Sequence, residues 1–296
     1  VAAVVKQKGR PTPEVLVDAL PKLVESIKFE KSMRWLPASR RAGNDLGATF
    51  SRPIRWYVAL LGDMVIPFEY AGVTSGNISR GLRPYGSPDI TIPSADKYFD
   101  VIREAGILLD KEERKASIVE QVNQAAALLG GQAIIEEGLL NEVTNLIEMP
   151  TAVMGGFNEE FLALPRDVLI SVMKKHQRYF PVQKMSSVPV PSVKSSKNLT
   201  PDTGQPDTSL LPNFIAIRNG DDIHIDTVRE GNEHVLGARF ADANFFVRED
   251  VKLKLEDYRP KLSTLTFHTK LGSMLDKSNR MLMLGAEVGA MLGFKG

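Results

Sequence analysis

Apolar residues recur at helical spacing in several stretches of this chain and alternate or cluster at strand length in others. Val15, Leu16, Ala19, Leu20, Leu23, Val24 and Ile27 follow Thr12-Pro13-Glu14, where a capping hydroxyl, a first-turn proline and an acid predict a helix over about 13–28. Ser94 opens a second helix running to about Arg103. Asp110 with Glu113 caps a long amphipathic one that stops at Gly130-Gly131. Further helices are predicted over Leu139 to Ile147, after Pro165-Arg166-Asp167, from Val228 onward, and, beyond a break at Pro260, from about Leu271. Between them, Ile54 to Leu61 and Met64 to Tyr70 flank Gly62-Asp63 and read as an antiparallel pair. Thr151 to Met154 reads as a short strand. Leu210 to Asn219 reads as a buried strand, with Tyr179 to Gln183 as its hairpin partner.

The fold class expected is therefore α+β, with antiparallel or mixed sheet elements packed by helices and leading into an all-helical C-terminal segment. Two stretches break the pattern. Residues 36–50 lack periodicity, and 184–209 are Ser, Pro, Thr and Lys with few large apolar side chains, so both are expected to be flexible insertions.

Composition narrows the picture modestly. With 296 residues, 43% hydrophobic and 25% charged, the chain belongs among ordinary globular proteins of one or two domains. It has no cysteine, which removes disulfides and thiolate metal sites. No apolar run reaches the roughly 20 residues that span a bilayer, so no membrane partner is expected. The start is not Met and the last residues interrupt a helical pattern, which reads as a piece of a longer chain. Net charge is +1, from 37 cationic and 36 anionic side chains, so any polyanion would be met by a local patch.

The strongest such patch is Met173-Lys174-Lys175-His176-Gln177-Arg178-Tyr179-Phe180-Pro181, a basic run set between a helix and an aromatic strand. Arg and Lys neutralise phosphates, and aromatic side chains stack on unpaired bases. Arg80 and Arg83, in the Gly- and Pro-rich exit from the early hairpin, and Arg55 in Arg52-Pro53-Ile54-Arg55-Trp56 extend the set. Ordinary structure competes with this reading: Ile54 and Trp56 would share one strand face with Arg55 on the other. In Ala238 to Phe246, an Arg239–Asp242 pair beside a packed aromatic face accounts for the residues without a ligand.

Other chemistry is poorly supported. None of His176, His224, His234 and His268 has metal-ligand spacing, and His224 and His234 read as exposed. Neither a phosphate-cradling Gly-rich loop nor a G-x-S-x-G elbow is present. Lys184-Met185-Ser186-Ser187 looks like an ATP-contacting loop but sits in a low-complexity stretch without the flanking elements such a loop needs. Glu112-Glu113, Glu136-Glu137 and Glu159-Glu160 read as helix-start acids. No catalytic or metal-binding residue is assigned.

Lys31-Ser32-Met33-Arg34-Trp35, Ser51-Arg52-Pro53-Ile54-Arg55-Trp56, the basic run at 173–181 and Ala238 to Phe246 after Gly231-Asn232-Glu233 succeed one another in an order and spacing that resemble the beta subunit of the heterotetrameric glycyl-tRNA synthetase. Leu139 to Glu148 and Leu211-Pro212-Asn213-Phe214 fit the same succession, and the likeness runs over nearly the whole chain.

The resemblance implies an α+β body over residues 1–262, with 263–296 beginning an HD-like helical domain that is cut short. It implies a segment without a catalytic site that binds and positions tRNA-Gly within a glycine-tRNA ligase, through Lys174, Lys175, His176, Arg178, Arg80, Arg83 and Arg55. A subunit-docking scaffold without RNA contact is the alternative. By the same resemblance the segment needs no cofactor of its own. ATP with magnesium would act at the catalytic core of an alpha subunit or fused alpha region, and a second beta copy is a further partner. The wording of Val15 to Phe29 is closer to plant and algal organelle versions, which implies a chloroplast or mitochondrion for such a source and the cytoplasm otherwise. Where the family often reads Arg-Gly-His-Arg, this chain has Arg80-Gly81-Leu82-Arg83, which removes any contact made by that His.

Overall fold

The structure, a computed structural model, describes residues 9–35, 47–185 and 209–294. Helix α1 (Thr12–Ser26) forms where the periodicity places it. Its cap differs: Pro11 is already extended and occupies the cap position, so Thr12 lies inside the first turn and no side chain caps the helix. Strands β1 (Met33–Trp35) and β2 (Ala48–Phe50) pair antiparallel, so the end of the first expected insertion is sheet; residues 36–46 lie outside the described residues.

A group of short strands follows: β3 (Tyr57–Val58), β4 (Leu60–Leu61), β5 (Met64–Val65), β6 (Glu69–Tyr70), β7 (Val73–Gly76), β8 (Ile78–Arg80) and β9 (Asp89–Thr91). Gly62-Asp63 makes the expected tight turn between β4 and β5, with Gly62 at φ 61°. The longer antiparallel pair read from the sequence is cut short, because β3 pairs parallel with β7. Its cause is a second turn at Ala71-Gly72, both residues at positive φ, which folds β7 back along β6. Leu82 and Ile92 pack with Ile102 of α2 (Tyr98–Glu104) and with Ile107 in a small core.

The principal layer is a four-stranded antiparallel sheet. Helix α3 (Lys111–Leu128) begins where the Asp110 carboxylate accepts the Glu113 N–H at 2.8 Å, and the chain turns at Gly130 (φ 72°) into β10 (Gly131–Ala133), a strand too short to read from periodicity. Helix α4 (Glu137–Leu146), β11 (Pro150–Gly156), α5 (Arg166–Ser171), β12 (Phe180–Lys184) and β13 (Leu210–Asn219) complete it, in the order β10-β12-β13-β11. The expected hairpin partners β12 and β13 are neighbours; residues 186–208 between them lie outside the described residues.

Alternation along β13 divides the core. Ile215 joins Ile118, Val122, Val143, Phe180 and Val182 under α3 and α4. Phe214 and Ala216 face Val153, Leu169, Met173, Leu236 and Phe240 on the opposite side. Burying a side chain such as Phe214 contributes about 1.5–3 kcal/mol. Gly155 lies opposite Phe214 in register, and an added Cβ there would stand 2.3 Å from the ring, so the aromatic occupies the space a side chain would need.

Helix α6 (Ile225–Asp250) covers the second face through Leu236 and Phe240. Arg239 and Asp242 are both exposed and form no ion pair with each other. Phe240 is packed, whereas Phe245 and Phe246 stand out in solvent. Beyond α7 (Leu255–Tyr258), a tight turn of helix spans Arg259–Thr264 around Pro260, and a small hairpin joins β14 (Thr266–His268) to β15 (Gly272–Ser273). Helix α8 (Met274–Met291) starts at a capping box between Ser273 and Asp276, and exposes Met281, Leu282, Met283, Leu284 and Val288.

Candidate nucleic-acid interface

The basic run continues α5 as a π-helical turn, Val172–Gln177. The wider turn adds a residue to the helical circuit, so Met173 stays fully buried while Lys175 and His176 emerge on the surface. The turn is fixed at its exit. The Tyr179 N–H donates to the Met173 carbonyl at 2.9 Å, and Arg178 adopts the left-handed conformation (φ 59°), which costs a residue with a Cβ about 1–2 kcal/mol. Tyr179 then stacks on Phe214 with ring centroids 4.5 Å apart. Burial pushes its phenol up to about 12, so it remains neutral.

The cations of this turn are unequal. Lys174 pairs with Glu136, and Arg178 Nε lies 2.6 Å from Glu142 Oε1. Lys115 pairs with Glu137 at 3.1 Å, and that contact holds the Glu137 carboxyl below the usual range. Glu136 and Glu137, read from the sequence as helix-start acids, and Glu142 within α4 thus hold three basic side chains. Sequence reasoning missed this because the partners are far apart along the chain and share no spacing. Lys175 and His176 are exposed, and neither side chain has a hydrogen-bond or ionic partner among the described residues.

Arg83 lies in the helical turn Arg83–Tyr85 and is exposed, while Arg80 pairs with Asp89 across β8 and β9. Leu82 between them is 1% exposed and anchors the loop in the core, so the position at which the family often carries His serves packing here. The Arg83–Tyr85 turn docks on the end of β13: the Tyr85 hydroxyl accepts the Asp221 N–H at 2.9 Å and holds the Asp221 carboxyl below the usual range. Arg218 in turn donates to the Ile223 carbonyl at 2.5 Å and stands 3.8 Å from Asp221.

Arg178 and Arg218 line one open cleft of about 320 Å³, which joins the basic turn to the end of β13, and the Arg83 turn meets that end through Tyr85 without lining the cleft. Arg55 lies exposed in the extended segment before β3 and is not among the residues that line the cleft. His224 and His234 are exposed as expected; His268 Nδ1 accepts the Lys270 N–H at 3.1 Å. Lys184 closes β12, and Ser186 and Ser187 of the same stretch lie outside the described residues. Among the described residues no three histidines and carboxylates converge to hold a metal ion, and no helix is long and apolar enough to cross a membrane.

What the geometry defines is an α+β chain that presents cations on a fixed turn. Its family follows from comparison: residues 1–294 match the family model described as glycyl-tRNA synthetase beta subunit, and the chain belongs to that family. It is 44% identical over 291 residues to the glycine-tRNA ligase beta subunit of Clostridioides difficile, covering 98% of this chain and 38% of that one. It is 42% identical over 281 residues to the chloroplastic/mitochondrial glycine-tRNA ligase 2 of Arabidopsis thaliana, covering 95% of this chain and 23% of that one. The beta subunit of Trichodesmium erythraeum is 40% identical over 291 residues, with 97% and 37% covered. The chain therefore spans between about a quarter and two fifths of the length of these relatives.

Proposed function

We propose that this chain is the part of a glycine-tRNA ligase that grips and positions tRNA-Gly, while glycine is activated with ATP and magnesium on an alpha subunit or fused alpha region. The observation that carries RNA contact is the π-helical turn, where Lys175 and His176 stand exposed at fixed backbone positions in a member of this family. Arg83 is a further exposed cation; Lys174, Arg178 and Arg80 lie nearby in ion pairs with Glu136, Glu142 and Asp89 and would reach RNA by exchanging those partners for phosphate, with Arg55 an outlying contact. No residue of this segment needs to touch the reacting bond. Its contribution is to hold the acceptor end at the alpha site, which converts an encounter into an effectively unimolecular step. The organelle in the name of the Arabidopsis relative is the proposed location for a plant or algal source, and the cytoplasm otherwise.

The test is a salt series of tRNA-Gly transcript binding to the complete ligase, wild type against Lys175→Ala/His176→Ala and Arg83→Ala. Each lost phosphate contact lowers the log–log salt slope by about 0.7–0.9. Folded variants with unchanged affinity and slope overturn the reading.

The second reading is a docking scaffold without RNA contact, with a second beta copy or the alpha part as partner. It is favoured by the exposed apolar run Met281 to Leu284 on α8 and by Phe245 and Phe246 on α6. Under it, substitutions on α8 change subunit assembly while those on the π-helical turn change nothing.

A further inference from the structure

The cleft of about 320 Å³ at the end of the sheet is bounded by α4, by residues 177–179, by the end of β13 and by α6. Its floor is apolar, with Val143, Ile147 and Val228. Its rim carries three side-chain amides, from Gln177, Asn219 and Asn232. The Asn219 oxygen accepts the N–H groups of Glu148 and Met149, at 3.0 and 2.9 Å, which leaves its NH₂ as the group still able to donate. The amides of Gln177 and Asn232 make no hydrogen bond among the described residues. Both guanidiniums beside the cleft already face carboxylates, Arg178 with Glu142 and Arg218 with Asp221.

We infer that this cleft receives one unpaired nucleobase of the bound RNA. The inference rests on the reading that this chain contacts RNA. An apolar floor accepts the face of a planar ring, and amides, which both donate and accept, match the mixed hydrogen-bonding edge of a base. A phosphate would instead require open cations, which the two paired arginines do not offer. An open cation stands next door, since Lys175 and the exposed His176 imidazole immediately precede Gln177 and would meet the backbone of the nucleotide whose base enters the cleft. The volume is at the lower end of small-molecule sites and suits a single base.

The experiment compares Gln177→Ala and Asn232→Ala with Lys175→Ala in the complete ligase, binding tRNA-Gly transcript across a salt series, with folding checked by thermal melting and assembly by sedimentation. Base contacts are uncharged, so the two amide variants are expected to lose about 5- to 20-fold in affinity with an unchanged salt slope, whereas Lys175→Ala flattens the slope. Amide variants that bind like wild type, while Lys175→Ala still flattens the slope, overturn the base cleft and leave the RNA reading standing. Loss of subunit assembly in the amide variants, with RNA affinity retained, means the cleft seats a protein segment and likewise overturns it. If all three variants bind like wild type, the RNA reading falls and takes the cleft with it.

Discussion

Glu136 and Glu142 hold Lys174 and Arg178 in ion pairs, so their removal should make this chain a stronger and more salt-sensitive RNA binder. The perturbation is Glu136→Gln/Glu142→Gln, which keeps side-chain shape and removes two negative charges. The two carboxylates removed are 56% and 50% exposed, and although Lys174 is only 16% exposed, pairs whose acid is so open to water contribute only about 0–1 kcal/mol each to stability, so the fold should survive. At about 0.9 per duplex phosphate contact, raising salt from about 50 to 200 mM costs about 3.5-fold in affinity for each contact and about 12-fold for two. The double variant should therefore bind tRNA-Gly more tightly than wild type at the low end. Its advantage should shrink by about 12-fold across that range if both freed cations reach phosphates, and by about 3.5-fold if one does. Fluorescence anisotropy of labelled transcript with the complete ligase reads this directly. Parallel log–log lines for variant and wild type would refute the reasoning, because freed cations would then meet no phosphate.

Gly155→Ala should lower the urea midpoint, since its Cβ would stand 2.3 Å from the buried Phe214 ring, itself stacked on Tyr179; overpacking of this kind costs about 1–3 kcal/mol, and an unchanged midpoint contradicts it. Tyr57→Phe should leave stability unchanged or raise it by up to about 1 kcal/mol, because the Tyr57 hydroxyl is buried without a hydrogen-bond partner among the described residues, and burial pushes the phenol up to about 12; a clear loss in chemical denaturation contradicts this. Tyr85→Phe should let the Asp221 carboxyl titrate at higher pH. With the folded value depressed, that carboxylate contributes stability above the ordinary carboxylate range and loses it as pH falls through the folded value, so the variant should lose the contribution at a higher pH, read by carboxyl NMR titration.

Local chemistry made much of the fold legible. Asp110 and Glu113 with Gly130 bracketed α3, and the Phe214 to Ile217 run identified β13 together with its partner β12. Features requiring distant residues to meet were not legible. The parallel pairing of β3 with β7 depends on the Ala71-Gly72 turn between them, and β10 is three residues long. At the candidate site the basic run was visible as composition, but its π-helical geometry is set by Met173 and Tyr179 both facing the core. Glu136 and Glu142 reach that run only through the packing of α4 beside it, a contact without a linear signature.

A chain with net charge +1 cannot draw RNA by its overall field, so any discrimination it exercises depends on where its exposed cations are fixed. The sheet provides that fixing. Met173 is locked beneath the turn, Tyr179 is stacked on Phe214 at its exit, and Gly155 leaves the space that lets Phe214 fill the layer. A cation on a mobile loop would add affinity without fixing orientation, whereas one on a braced turn also sets the register of the bound backbone. On the proposed reading, pairing Lys174 and Arg178 with carboxylates serves the same end, because it leaves Lys175, with the exposed His176 imidazole beside it, as the part of the turn a phosphate would meet first and keeps neighbouring cations from offering competing registers.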